Sequence, residues 1–176
     1  MKKPFSENLI FVDTEFTSLD PHEGEILSIG LVKMNGEELY LELEYDGEVD
    51  EWVKENVFPS LNQEKIKRED VIDEIRAFVG KKRPRVVAYV DNFDVVYLCK
   101  LLGTENFQEM FYWIPVDFSS ILFAHGVSPD SISSQGRDYE FLDKLGVEAE
   151  KYNQHNALDD AKFLREVYLK FFEKLN

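Results

Sequence analysis

The sequence predicts an α/β fold, with a sheet built mainly from the first half of the chain and helices drawn mainly from the second. Three patterns point there. Leu9-Ile10-Phe11-Val12 is a near-continuous apolar run, as a strand buried on both faces requires. Asn35-Gly36 separates two strand patterns and is a strong hairpin signal. Near the C-terminus Ala157, Ala161, Leu164, Val167, Tyr168 and Phe171 recur at helical spacing and define one apolar stripe.

The elements follow in order. Residues 9–16 read as the first and central strand, and Asp20-Pro21-His22-Glu23-Gly24 as turn material. Residues 26–34 form a second strand and 38–45 a third. In the third, Leu39, Leu41 and Leu43 alternate with Tyr40, Glu42 and Glu44, as in a sheet with one wet face. Residues 46–60 are acidic and read as irregular. Ile66, Ile72, Ile75, Ala77, Phe78 and Val79 mark a helix, broken by Gly80 and the basic run Lys81-Lys82-Arg83-Pro84-Arg85. A short buried strand over 85–90 leads into a helix over 91–102, ended by Gly103. Phe111-Tyr112-Trp113-Ile114-Pro115-Val116 is a further strand. Helical pieces near 117–124 and 139–145 precede the final helix, from about Asn156 to Leu175. No repeat, low-complexity tract or linker interrupts the 176 residues, so residues 1–176 are expected to form a single domain.

Hydrophobic residues at 44% and aromatics at 14% exclude a disordered chain. The one cysteine, Cys99, cannot form an intramolecular disulfide, and its apolar helical setting makes it a small core residue. Residues 1–7 lack a signal-peptide stretch and no run approaches membrane-spanning length. A cytoplasmic protein without a membrane partner is therefore expected.

Carboxylates stand where burial makes them costly. Asp13-Thr14-Glu15 ends the first apolar run, Asp94 follows Val86-Val87-Ala88-Tyr89-Val90 by a few residues, and His155 with Asp160 opens the last helix. Such groups need a cation or a partner. Four hard oxygen ligands with an imidazole and no cysteine cluster suit Mg²⁺ or Mn²⁺ rather than structural zinc. The combination equips a protein to hydrolyse a phosphodiester with two metals and a histidine base.

Helical phase supports part of this. Asp160 lies three after Ala157 and four before Leu164, which aims it at the core, whereas Asp159 shares a face with Lys162 and Glu166 and is expected in water. Asp94 lies four before Leu98 and seven before Leu101, again on the apolar face. A bland alternative has Asp91 capping that helix, with Asp94 merely favourable in its positive first turn.

Several segments together resemble the DEDD-family 3′-5′ exonucleases, histidine-containing (DEDDh) branch, which includes RNase T, oligoribonuclease and the proofreading exonucleases. The first motif resembles Val12-Asp13-Thr14-Glu15-Phe16-Thr17-Ser18-Leu19-Asp20-Pro21, running on into Glu25-Ile26-Leu27-Ser28-Ile29-Gly30. The second resembles Asn92-Phe93-Asp94 with Leu98, and the third, His-x-Ala-x-x-Asp, is similar to His155-Asn156-Ala157-Leu158-Asp159-Asp160. The detail is similar to a small bacterial exoribonuclease subgroup. Departures are Tyr89-Val90-Asp91, where many relatives have His-Asn, Ser18 in place of a common glycine and Ser28 in place of a common acid.

The resemblance implies an RNase H-like fold, a mixed central sheet flanked by helices. It implies that Asp13, Glu15 and Asp160 hold one Mg²⁺ or Mn²⁺ and that Asp13 bridges to a second. Asp94 would serve the second ion, directly or through water, and His155 would take a proton from the attacking water. Phe16 and Thr17 would meet the substrate, Thr17 through its 3′-hydroxyl, and Leu19 would wedge against the terminal base. Phe93 fits a base-stacking role and a core role equally well. The implied substrate is the 3′ end of single-stranded RNA or DNA, with RNA favoured by the subgroup alone. A repair exodeoxyribonuclease or a silent end-binding module are the alternatives, and a homodimer is common among relatives. Twenty basic residues against thirty-five acidic give a net charge of −15, the wrong sign for tracking a long duplex. That charge suits a short strand gripped at one end through metal ions. The basic stretches at 65–68 and 81–85 read as solvated helix ends or linkers, and His22 and His125 as ordinary loop and helix-end residues.

Overall fold

The computed structural model describes residues 8–175, so residues 1–7, whose composition argued against a leader, lie outside the described residues. A six-stranded mixed sheet forms the centre. Its strands are β1 (Leu9–Phe16), β2 (Ile26–Lys33), β3 (Glu38–Leu43), β4 (Lys65–Ile66), β5 (Arg85–Ala88) and β6 (Tyr112–Asp117), in spatial order β4-β3-β2-β1-β5-β6. The hairpin strands β1, β2 and β3 pair antiparallel. β4 joins β3, β5 joins β1 and β6 joins β5, all in parallel. The α/β expectation and the mixed sheet both hold.

Because β1 is central, its pleat feeds two cores. Leu9 and Phe11 face one, with Leu164, Val167, Tyr168 and Phe171 of the last helix. Ile10 and Val12 face the other, with Val71, Ile75, Tyr97, Leu98 and Phe107. Seven α-helices accompany the sheet among the described residues: α1 (Glu51–Asn56), α2 (Val71–Val79), α3 (Asp91–Leu102), α4 (Thr104–Met110), α5 (Phe118–Ala124), α6 (Tyr139–Leu145) and α7 (Ala157–Lys174). The stripe read in the last helix is its buried face.

Several expectations need correction. Residues 46–60 are not wholly irregular, because Val53 and Val57 fill a small satellite core with Leu27 and so fold the six-residue α1. Ile66 belongs to β4 rather than to a helix, and α2 starts only at Val71. Gly103 ends α3 at φ 75°, but α4 follows at once. Asp91 caps nothing: it lies inside the first turn of α3, where no side chain makes a cap bond. Cys99 is only partly buried, at the margin of the second core. No helix among the described residues is long and apolar enough to cross a membrane.

Candidate active site

Asp13 and Glu15 sit two apart near the end of β1 and so project to the same face, the one that α7 covers. α7 reaches them because it crosses β2 at Gly30, the cross-strand partner of Asp13. A Cβ on Gly30 would lie 2.1 Å from the Ala157 carbonyl oxygen, so only glycine lets the first turn of α7 come this close. Asp160 is in that turn. Oxygens of Asp13, Glu15 and Asp160 all lie within 4.8 Å of one another.

Three carboxylates this close cannot all ionise without a counter-charge. Burial, followed by repulsion from Asp94, Asp160 and Glu15, pushes Asp13 well above the usual carboxylate range. Burial and then Asp160 and Asp94 push Glu15 up to about 8. Burial raises Asp160 to about 7, against the lowering effect of a backbone N–H from His155 and of the Arg137 charge. The donor set is all carboxylate oxygen and carries more negative charge than it can hold unaided, which fits a hard divalent cation.

Asp94 is buried but stands outside that trio. The pleat turns Thr14 away from Asp13 and Glu15, towards α3, and there Asp94 Oδ1 accepts bonds from the Thr14 amide (2.8 Å) and hydroxyl (2.7 Å). Burial raises Asp94 to about 7 despite those two bonds. Its other oxygen makes no bond to Thr14.

His155 precedes α7 in the left-handed region, at φ 59°. Three contacts hold it there. Its amide donates to Asp160 Oδ2 at 2.8 Å, its carbonyl accepts from Ser60 Oγ at 2.5 Å, and its ring meets the Trp52 indole edge-on at 5.0 Å. Burial, and then the Arg137 charge, holds the imidazole below its ordinary pKa, so it is neutral at pH 7 and able to accept a proton. The Ser60 loop is itself fixed. Buried Glu42 accepts through Oε1 from the amides of Asn62 (2.7 Å) and Gln63 (3.0 Å).

Asp159 does not stand free in water as expected. Its Oδ2 accepts from the Asn153 amide (3.1 Å) and side chain (2.8 Å), and Oδ1 lies 3.8 Å from Lys162. It thus closes the loop that carries His155, while Asn156 caps α7 through the Asp159 amide at 3.1 Å.

Tyr89, Ser133, Ser134 and Arg137 line the same cleft as Asp13, Glu15, His155 and Asp160. Sequence reasoning missed these residues, together with Trp52 and Ser60. The segment Ser133-Ser134-Gln135-Gly136-Arg137 reads only as a polar loop, and Trp52 falls in the stretch read as irregular.

None of the four expected substrate residues lines this cleft. Phe16 stacks on Tyr97 at 4.3 Å and on Phe93 at 6.1 Å, so both phenylalanines are engaged in an aromatic pile. Thr17 is buried, and its hydroxyl accepts from the Glu25 amide at 3.0 Å. Leu19 is 66% exposed. His22 is exposed, while His125 is exposed but edges onto Phe171 at 5.5 Å. Arg68 departs from the solvated reading, because it pairs with Glu25 at 2.7 Å and with the Ile26 carbonyl at 2.9 Å.

Comparison with known proteins supplies the remaining observation. Residues 8–171 match the model of the 3′-5′ exoribonuclease Rv2179c-like domain. DNA polymerase III PolC-type of Thermotoga maritima is 27% identical over 94% of the chain, and that of Thermotoga petrophila is 27% identical over 96%. The chain spans only 12% of the length of either relative. The zinc-bound E. coli ExoI–ssDNA complex superposes with a TM-score of 0.68 at 14% identity, over 96% of this chain and 40% of that one, so the folds agree.

Proposed function

Because this chain belongs to the 3′-5′ exoribonuclease Rv2179c-like family, and so to the DEDD-type 3′-5′ exonucleases, we propose that it shortens single-stranded RNA from the 3′ end. The reading rests chiefly on one observation: three carboxylates converge in a cleft beside the imidazole of His155. We take the whole chain as one such domain.

Asp13, Glu15 and Asp160 would hold one divalent ion, Mg²⁺ or Mn²⁺, with Asp13 reaching a second and Asp94 serving it, directly or through water. When bound, such a pair of ions stabilises charge on the attacking and leaving oxygens. The chain's own groups do the rest. His155 accepts the proton of the attacking water, and its backbone bonds to Asp160 and Ser60 fix the ring's place. Thr17 is buried outside the cleft with its hydroxyl accepting from the Glu25 amide, so it would brace the loop that carries Leu19 rather than meet the terminal 3′-hydroxyl itself. Leu19 offers an exposed apolar edge to the last base, and Phe16 and Phe93 back the strand with their aromatic pile.

A DNA substrate is the second reading, favoured by the DNA polymerases among the relatives. Labelled RNA and DNA strands of one sequence, incubated with Mg²⁺, Mn²⁺ or EDTA, separate the readings. A ladder receding from the 3′ end, faster on RNA and abolished by EDTA, is expected. Faster loss of DNA would give the role to the second reading, and no shortening of either would leave only a silent module.

A further inference from the structure

Arg137 brings an arginine into a cleft walled by Asp13, Glu15 and Asp160, and no other lysine or arginine lines it among the described residues. Its loop is tied at both ends. Gly136 donates to Ser133 Oγ at 2.8 Å, the Asp138 amide donates to the Ser131 carbonyl at 2.9 Å, and Asp138 caps α6 by accepting from the Phe141 amide at 3.0 Å. The guanidinium lies 4.5 Å over the ring of Phe163, one turn beyond Asp160 on α7, which fixes its plane beside the acids. Among the described residues no salt bridge holds it, and its Nε–H is buried without an acceptor. A planar donor fork held in place with an unused donor is suited to a phosphate.

We propose that Arg137 anchors the phosphate that departs on the released mononucleotide. This inference rests on the nuclease reading of the same cleft. The guanidinium would hold non-bridging oxygens that the acidic wall repels.

The test is calorimetric binding of AMP and of adenosine, with Mn²⁺ present, to wild type, R137Q and R137K, with Mn²⁺ affinity measured alone. R137Q is expected to weaken AMP at least tenfold and to leave adenosine and Mn²⁺ within about threefold. R137K should recover part of the loss, because a point charge lacks the fork. Unchanged AMP affinity in R137Q overturns the proposal. So does equal loss of AMP and Mn²⁺, which would make Arg137 a mere counter-charge, and so does a wild type that binds no AMP. Strand cleavage is read separately. If no strand shortens while the AMP pattern holds, the nuclease reading falls and the release role of Arg137 with it, and only its contact with a mononucleotide phosphate stands.

Discussion

At the scale of single residues, His155 meets two demands, a backbone at φ 59° and, in the proposed chemistry, a ring that accepts a proton. Asparagine meets the first demand and not the second. His155→Asn is therefore expected to lower turnover by about 10²–10⁴-fold, the usual span for a general base, with unfolding temperature and Mn²⁺ affinity close to wild type. Loss of Mn²⁺ binding in calorimetry would show the ring to be a ligand instead. The neighbouring aspartates make a second comparison. Asp160→Asn removes charge from the carboxylate trio and should cost at least a hundredfold in activity. Asp159→Asn retains an oxygen that can accept from Asn153, so a loss of at most about fivefold is expected on the same labelled strand. The acids were legible because each breaks an apolar period. Asp159 was misjudged because phase on a helix says nothing of a loop folding back onto it.

At the scale of elements, the seating of α7 on β2 joins the fold to the site. A methyl at Gly30 would meet backbone, which cannot swing aside as a side chain can. Gly30→Ala should thus push the first turn of α7 away from β1, at about 1–3 kcal/mol, the usual range for overpacking. A lowered urea midpoint together with weakened Mn²⁺ binding is the expected pair. A lowered midpoint with full Mn²⁺ affinity would uncouple the helix seat from the carboxylates. The long elements, β1, β2, α3 and α7, were readable from period alone. Among the short helices α5 and α6 were read in place, whereas α1 and α4, of six and seven residues with one and two buried side chains, were not. Trp52 and Ser60 owe their place to that unread stretch, so two of the three contacts that hold His155 had no signature in sequence.

For the whole molecule, the acids impose a pH dependence on the metal-free protein. Glu15 at about 8 and Asp94 and Asp160 at about 7 are raised in the fold above their unfolded values near 4. A raised carboxyl contributes its full stability below pH 4 and loses it as pH climbs through 7 to 8. With EDTA present, the unfolding temperature should fall between pH 5.5 and 8, and Mn²⁺ should raise it more at pH 8 than at pH 5.5, because only ionised carboxylates bind the ion. Equal Mn²⁺ shifts at the two values, measured by calorimetric scans, would contradict the shared charge. The site also has a history during synthesis. Its acids enter with β1 and its base with the approach to α7, and the Ser60–His155 bond joins positions 95 apart. At roughly 5–20 residues per second, on the order of 7–30 s separates translation of Asp13 from that of Asp160. A ribosome therefore carries the first half of the acidic cluster long before its partner and base emerge. On the proposed RNA reading, nascent chains stalled anywhere before His155 should leave nearby RNA intact.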